Sequence, residues 1–194
     1  MSWIADADES SSVEAAAAFE RDRAALGYVA NYTRTLARRP AVLKAWRGLN
    51  AAVKASMAPR RYKLATLAAA RRLRSSYCCL AHGAVLVDQF DAAPEVRALT
   101  RDALGELDPV DTAAVRLAEK VAGGAADMTE QDLAEARALG LTDDEVLDVV
   151  LAAAARCFFS TVLDATGTEP DAAYRSMDPE LQGSLTVGRL IAGA

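Results

Sequence analysis

From Ser11 onward the apolar residues of this chain recur every three or four positions, and nowhere do they alternate with polar ones over the length of a strand. The pattern predicts an all-α fold. Ser11 and Glu14 have the spacing of a capping box ahead of an alanine-rich helix that Gly27 interrupts. A second short helix follows through Val29 to Leu36. Pro40 is placed as the first residue of the next, running to about Ser56 with Val42, Trp46, Leu49 and Val53 as its inward stripe. Pro59 opens a helix to about Arg74, with Leu64, Leu67 and Ala68 inward and Arg60, Arg61, Arg71, Arg72 and Arg74 as a basic skirt. Ser76 to Phe90 forms another, and Pro94 starts a shorter one to about Leu104.

The second half is punctuated more sharply. Asp108-Pro109 reads as an N-cap followed by proline at the first helical position, with Val110, Ala114, Leu117 and Val121 as the stripe until Gly123-Gly124. Thr129 with Asp132, and Gly140, bound a short helix. Thr142 to Glu145 is a capping box for a long helix closed by Gly167, its stripe running Val146, Val150, Ala153, Cys157, Thr161. The acidic stretch 1–10 reads as an extended arm, and a last helix from Pro179 to Ile191 as a docking arm.

Composition narrows this picture. The chain has 194 residues, enough for one domain with a real core, and 52% apolar residues, which excludes a disordered chain. Much of that fraction is alanine, which favours helices that pack closely, including against other subunits. A net charge of −5 argues against nucleic acid as a partner. Three cysteines, two adjacent, make no secreted disulfide framework. Met1 to Ser12 lacks a basic signal-peptide region, and no long apolar run reads as a membrane span, so the expected location is the cytoplasm.

The candidate chemistry is concentrated in Ser75-Ser76-Tyr77-Cys78-Cys79-Leu80-Ala81-His82, which holds the only histidine and two of the three cysteines. On a helix Cys78 and His82 share a face one turn apart, and Ser75 falls on that face too. The two serines are N-cap candidates, so Cys78 belongs to the first turn, where the helix dipole and free N–H groups favour a thiolate. Nearby arginines of the skirt would add positive potential. The alternative is a cysteine that packs as a small hydrophobe, the role expected for Cys157 and for the inward-turned Cys79. One histidine beside adjacent cysteines does not supply the ligand spacing of a zinc site, and no glycine-rich phosphate loop is present, so no metal or cofactor is expected.

These residues resemble the alkylhydroperoxidase D-like and carboxymuconolactone decarboxylase-like proteins, whose hallmark is Cys-x-x-Cys followed by His four residues on. The match holds through Tyr77, Cys78, Ala81 and His82, with Ser75 in place of the first cysteine. The segment from Arg39 to Trp46, and Thr142 to Val150 through Asp164 to Gly167, look like the peroxidase-related subgroup. The resemblance covers most of residues 25–170, flanked by an arm and first helix at 1–24 and a C-terminal arm at 171–194. It implies a single-domain helical fold, a homo-oligomer built on trimers, and Cys78 as the thiol that attacks a hydroperoxide with help from His82. Ser75, Tyr77, Lys63, Cys79 and Cys157 are supporting candidates. Family members place a glutamate where this chain, counting back from Ser75, has Lys63; an ammonium donates but cannot accept a proton.

Three functions are compatible with these residues. One is a thiol peroxidase turned over by an external thiol reductant. The second is a cofactor-free lactone decarboxylase with His82 as acid or base and a carboxylate substrate. The third is a non-catalytic oligomeric or redox-sensing member.

Overall fold

In the computed structural model, which describes residues 2–193, the chain forms ten α-helices joined by short loops and three single 3₁₀ turns, with no strand among the described residues. The helices are α1 Val13–Leu26, α2 Asn31–Leu36, α3 Pro40–Ser56, α4 Pro59–Arg72, α5 Ser76–Phe90, α6 Ala93–Thr100, α7 Pro109–Gly124, α8 Glu130–Ala138, α9 Asp143–Ala165 and α10 Pro179–Leu185. Met1 and Ala194, at the ends of the two expected arms, lie outside the described residues.

Local signals set most of these ends. Proline stands at the first position of α3, α4, α7 and α10, where its missing N–H costs nothing. Thr142 and Glu145 close a reciprocal capping box on α9, as Thr129 and Asp132 do on α8, and Asp108 accepts the amide of Val110 at the head of α7. Gly27 and Gly167 end α1 and α9 in the left-handed region, at φ 82° and 70°, which a residue with a Cβ adopts at a cost.

The core is built around α4. Every residue from Leu64 to Ala70 is buried, and the helix packs against α5, α7 and α9. Its alanines let neighbouring backbones approach closely, so helix-to-helix contact substitutes for long side chains. α3 lies over α9, stacking Trp46 on Phe159 with ring centroids 4.7 Å apart.

Several expectations need correction. α1 is capped by Ser12, not Ser11, whose hydroxyl is taken up by Asp8. α2 begins at Asn31 and α6 ends at Thr100, since Asp102 turns to a positive φ. On α3 the buried positions are Leu43, Trp46 and Val53, while Val42 and Leu49 face outward. On α9 the buried stripe runs Val146, Val149, Ala153, Arg156, Ser160 and Leu163; Cys157 is half-buried and Thr161 exposed. α9 is also long and apolar enough to cross a membrane by length and composition, contrary to expectation, because of its alanine run. Half of that stretch is nevertheless buried inside the bundle against its neighbouring helices.

The last helix stops at Leu185 instead of Ile191. Residues beyond it follow an irregular path across the N-terminus of α5, where Gly188 donates its amide to Ser76 Oγ at 2.7 Å. Leu185 is wholly buried against Gly83 of α5, in space that any larger residue at 83 would occupy. At the other end of the chain, Trp3 covers Gly167 and carries the Arg189 guanidinium 4.1 Å above its ring. Both arms therefore dock on the bundle.

Candidate functional site

α5 begins at Ser76, so Cys78 is its third residue and lies in the first turn, as its sequence position implies. Ser75 occupies the N-cap position, but its side chain makes no capping bond. It is turned inward instead, wholly buried, with Oγ lacking a partner at hydrogen-bond distance. Asp164 lies close enough to feel that hydroxyl, which offsets part of the upward push that burial gives its carboxyl. An orphaned hydroxyl costs its desolvation, whereas a thiol in the same place would need no partner.

Cys78 is 1% exposed. Two side chains of α9 donate to its sulfur: the Ser160 hydroxyl at 3.2 Å and Arg156 Nη1 at 3.4 Å. Arg156 is buried, with its guanidinium carbon 5.2 Å from the ring centre of Phe159 and 5.5 Å from that of Trp46. Its Nε has no hydrogen-bond partner. Although burial opposes its charge, the neighbouring Cys78 and Tyr62 hold the guanidinium protonated above its usual range. No carboxylate pairs with it among the described residues.

His82 is buried one turn on from Cys78. Its ring stands edge-on to Tyr62, 6.1 Å between centroids, and its Nδ1 lies 3.1 Å from Thr66 Oγ1. Thr66 has one hydroxyl proton and directs it to the carbonyl of Tyr62 at 2.7 Å, so toward His82 it accepts. This hydrogen-bond pattern assigns the hydrogen to Nδ1 and leaves Nε2 with a free lone pair. Burial, and then Arg156, Lys63 and Lys54, push the imidazole well below its ordinary value, so the neutral ring is favoured.

Lys63 joins this cluster on α4. Burial first, then Lys54 and Arg156, lower its ammonium to about 8. A neutral amine has a lone pair, so the objection that a lysine cannot accept a proton weakens at this position. Lys54 of α3 lies further out, its Nζ 5.6 Å over the Tyr62 ring, and is likewise lowered by burial and by Arg156. Tyr62 donates its hydroxyl to Asn50 Oδ1 at 2.7 Å.

The remaining candidates lie apart from the sulfur's donors. Tyr77 donates to the buried carboxylate of Asp171 at 2.6 Å and accepts the amide of Tyr32 at 3.3 Å, so it fastens the C-terminal segment to α5 and α2. Cys79 is wholly buried, and burial pushes its thiol upward. Cys157 is half-buried beside Arg156 and is raised by burial too. The arginine skirt is committed elsewhere: Arg60 and Arg61 both reach Asp111, Arg60 also holds Glu95 at 2.6 Å, Arg61 holds Glu145 at 2.8 Å, and Arg71 pairs with Asp102 and the carbonyl of Thr100. The positive charge beside Cys78 comes from Arg156 instead. Sequence reasoning missed Arg156, Ser160 and Thr66; its one available cue was that Arg156 is the only charge between Asp148 and Asp164.

No group of three or more His, Cys, Asp or Glu side chains among the described residues converges as metal ligands do. Comparison with known proteins adds the fold. A solved alkylhydroperoxidase AhpD core structure, an uncharacterized peroxidase-related protein from Ralstonia eutropha JMP134, superposes with a TM-score of 0.80 at 21% identity, covering 91% of this chain and 95% of that one. An uncharacterized peroxidase-related protein from Silicibacter sp. TM1040 gives a TM-score of 0.77 at 22% identity, covering 88% and 91%. No family model and no curated protein matches the sequence. The chain has the all-helical AhpD-like fold of these peroxidase-related structures.

Proposed function

We propose that the protein reduces hydroperoxides through Cys78. The observation that carries this reading is a buried sulfur in the first turn of α5 that receives hydrogen bonds from both Arg156 and Ser160. Donors and an adjacent cation stabilise a thiolate, and the thiolate is the nucleophilic form. His82 Nε2, one turn away on the same helix, is the acceptor for the thiol proton.

In the reaction the thiolate attacks the terminal oxygen of the hydroperoxide. A sulfur–oxygen bond forms as the oxygen–oxygen bond breaks, giving Cys78 sulfenic acid and an alkoxide that takes up a proton to leave as the alcohol. Sulfur is oxidised by two electrons and the peroxide reduced by two. An external thiol then condenses with the sulfenic acid, releasing water and forming a mixed disulfide; a second thiol resolves it and returns Cys78 to the reduced state. Ser75 offers no resolving thiol on the same face, and Cys79 points a different way round α5.

The test is intact-mass analysis after a stoichiometric hydroperoxide pulse with dimedone present. One dimedone adduct, mapped to Cys78 and absent in Cys78→Ser, is the expected result. Peroxide left unconsumed with all thiols intact would overturn it, and turnover of a lactone acid without thiol loss would favour decarboxylation instead.

A further inference from the structure

Large apolar side chains left in water are concentrated on one side of the bundle. Val42 and Leu49 of α3 and Leu147, Leu151 and Phe158 of α9 are each between 43% and 56% exposed. The two helices run antiparallel and in contact, with Trp46 against Phe158 and Phe159, and Val53 clustered with Ala152. At 100° per residue, Val42 and Leu49 stand on the opposite side of Trp46 from Arg47, which reaches back to Asp22 of α1. They therefore turn toward the outer side of α9, and the five side chains form one face, with exposed Ala45, Ala52 and Ala154 among them. About half of each of five large side chains amounts to on the order of 500 Å² of apolar surface per copy. That is at the upper end of what monomeric proteins leave exposed, where a patch commonly serves an interaction.

Two features say what covers this face. The outward residues of α9, Leu147, Leu151, Ala154, Phe158 and Thr161, are spaced four, three, four and three apart, the spacing of a helix that packs along another helix. Between Asp148 and Asp164 the helix has one charge, and Arg156 is turned inward to Cys78, so the outward surface there carries none. The partner must offer an uncharged, apolar helix, and α9 of a second copy is one. The seam is also self-complementary. In an antiparallel pairing centred on Ala154 the small alanines meet at the closest approach, Leu151 faces the partner's Phe158, and Leu147 faces the partner's Thr161. A membrane is a poorer match: α9 opens with Asp143, Asp144 and Glu145 and has no outward lysine or arginine, so an anionic lipid surface repels it.

We infer that two copies of this chain associate about a two-fold axis beside Ala154, burying α9 against α9 with the outer edge of α3 on its flank. The large side chains alone supply more than half of the roughly 800 Å² per partner that a stable interface needs, and the alanines and polar margin add to it. The trimers that the family resemblance implies need a different, heterologous surface, so a two-fold contact here pairs such units instead of building them. The contact lies one ring from the donor to Cys78: Phe158 is 5.6 Å from Trp46, whose ring centre is 5.5 Å from the Arg156 guanidinium carbon. Association thus covers the outer side of the residues that hold Arg156, and it stands whatever chemistry Cys78 performs.

The test is sedimentation equilibrium of the full-length protein, wild type against Leu151→Glu, with Val13→Glu as a control on α1, where the exposed side chain lies off the face. Wild type and control should contain an even number of copies, and Leu151→Glu should have half the wild-type mass with its helical circular dichroism intact. Should Leu151→Glu unfold, Leu147→Lys reads the same change from the most exposed position of the seam. In a Cys157→Ser background, Ala154→Cys should join two copies through a disulfide on mild oxidation, because the axis brings position 154 beside itself, and the background alone should not. A wild type that stays monomeric up to its highest soluble concentration, an assembly whose mass survives both charged variants, or an Ala154→Cys protein that does not cross-link would overturn the inference. A monomer that instead floats with phosphatidylcholine vesicles, and no longer does so as Leu151→Glu, would overturn it too by assigning the face to a membrane.

Discussion

Two sets of basic residues meet at α4, Arg60 and Arg61 in its first turn and Lys63 with Lys54 of α3 and Arg156 of α9, and they have opposite fates. Arg60 and Arg61, at the start of α4, share the buried carboxylate of Asp111 and reach Glu95 and Glu145 beyond it. Lys63, two residues on in the same helix, feels the charges of Lys54 and Arg156, and no carboxylate among the described residues pairs with it. The first group is charge used to tie α4 to α6, α7 and α9. The second is charge left unneutralised beside a thiol. Positive residues that are paired explain a fold, whereas those held together against their own repulsion point to a ligand or a reacting group.

That contrast can be broken most forcefully at Arg156. Arg156→Met should slow Cys78 oxidation by about a hundredfold, the loss typical of removing one preorganised donor from a reacting centre, while thermal stability changes little because an unpaired buried cation has gone. A variant that unfolds instead would show that the guanidinium is structural. On the paired side the sign reverses: Asp111→Ala leaves two arginines without their shared partner and should cost about 2–3 kcal/mol by urea denaturation, below the full buried-pair figure because both arginines are partly exposed.

A smaller effect concerns pH. Lys63 is lowered in the fold to about 8 from an ordinary 10.5, so between those values the unfolded chain binds the extra proton and stability rises with pH. The wild type should therefore gain stability relative to Lys63→Met from pH 8 to pH 10, and be at its relative worst below pH 8. Identical pH curves for the two proteins would remove Lys63 from the cluster. The smallest change is expected at Ser75. Ser75→Cys removes an orphaned hydroxyl and should stabilise by about 1 kcal/mol while supplying a thiol that shortens the lifetime of the Cys78 sulfenic acid. Unaltered sulfenic lifetime would show that position 75 cannot reach Cys78.

The helical class and most helix ends were legible because caps, prolines and glycines act locally: Thr142 with Glu145 and Asp108 with Pro109 need nothing beyond their neighbours. Which side of each helix faces inward was less so. In an alanine-rich helix such as α3 two phases fit a spacing of three or four, and packing of Trp46 on Phe159 selected Leu43 over Val42 and Leu49. Cys78 and His82 could be found because they are close in sequence. Arg156, Ser160 and Thr66 could not, because they meet those residues only through the crossing of α4, α5 and α9, and a lone arginine among alanines reads as surface until its helix is placed.

The donors to Cys78 stand 78 and 82 residues further along the chain, and the backing of α5 by Leu185 comes later still. At ribosomal rates of roughly 5–20 residues per second, the newly made thiol waits for several seconds before Arg156 and Ser160 emerge. Throughout that interval it stands on a nascent helix without the guanidinium and the hydroxyl that donate to its sulfur in the closed bundle. On the proposed peroxidase reading, the chemistry would switch on only when the bundle closes, and a growing polypeptide would carry little risk of oxidising its own sulfur on the ribosome.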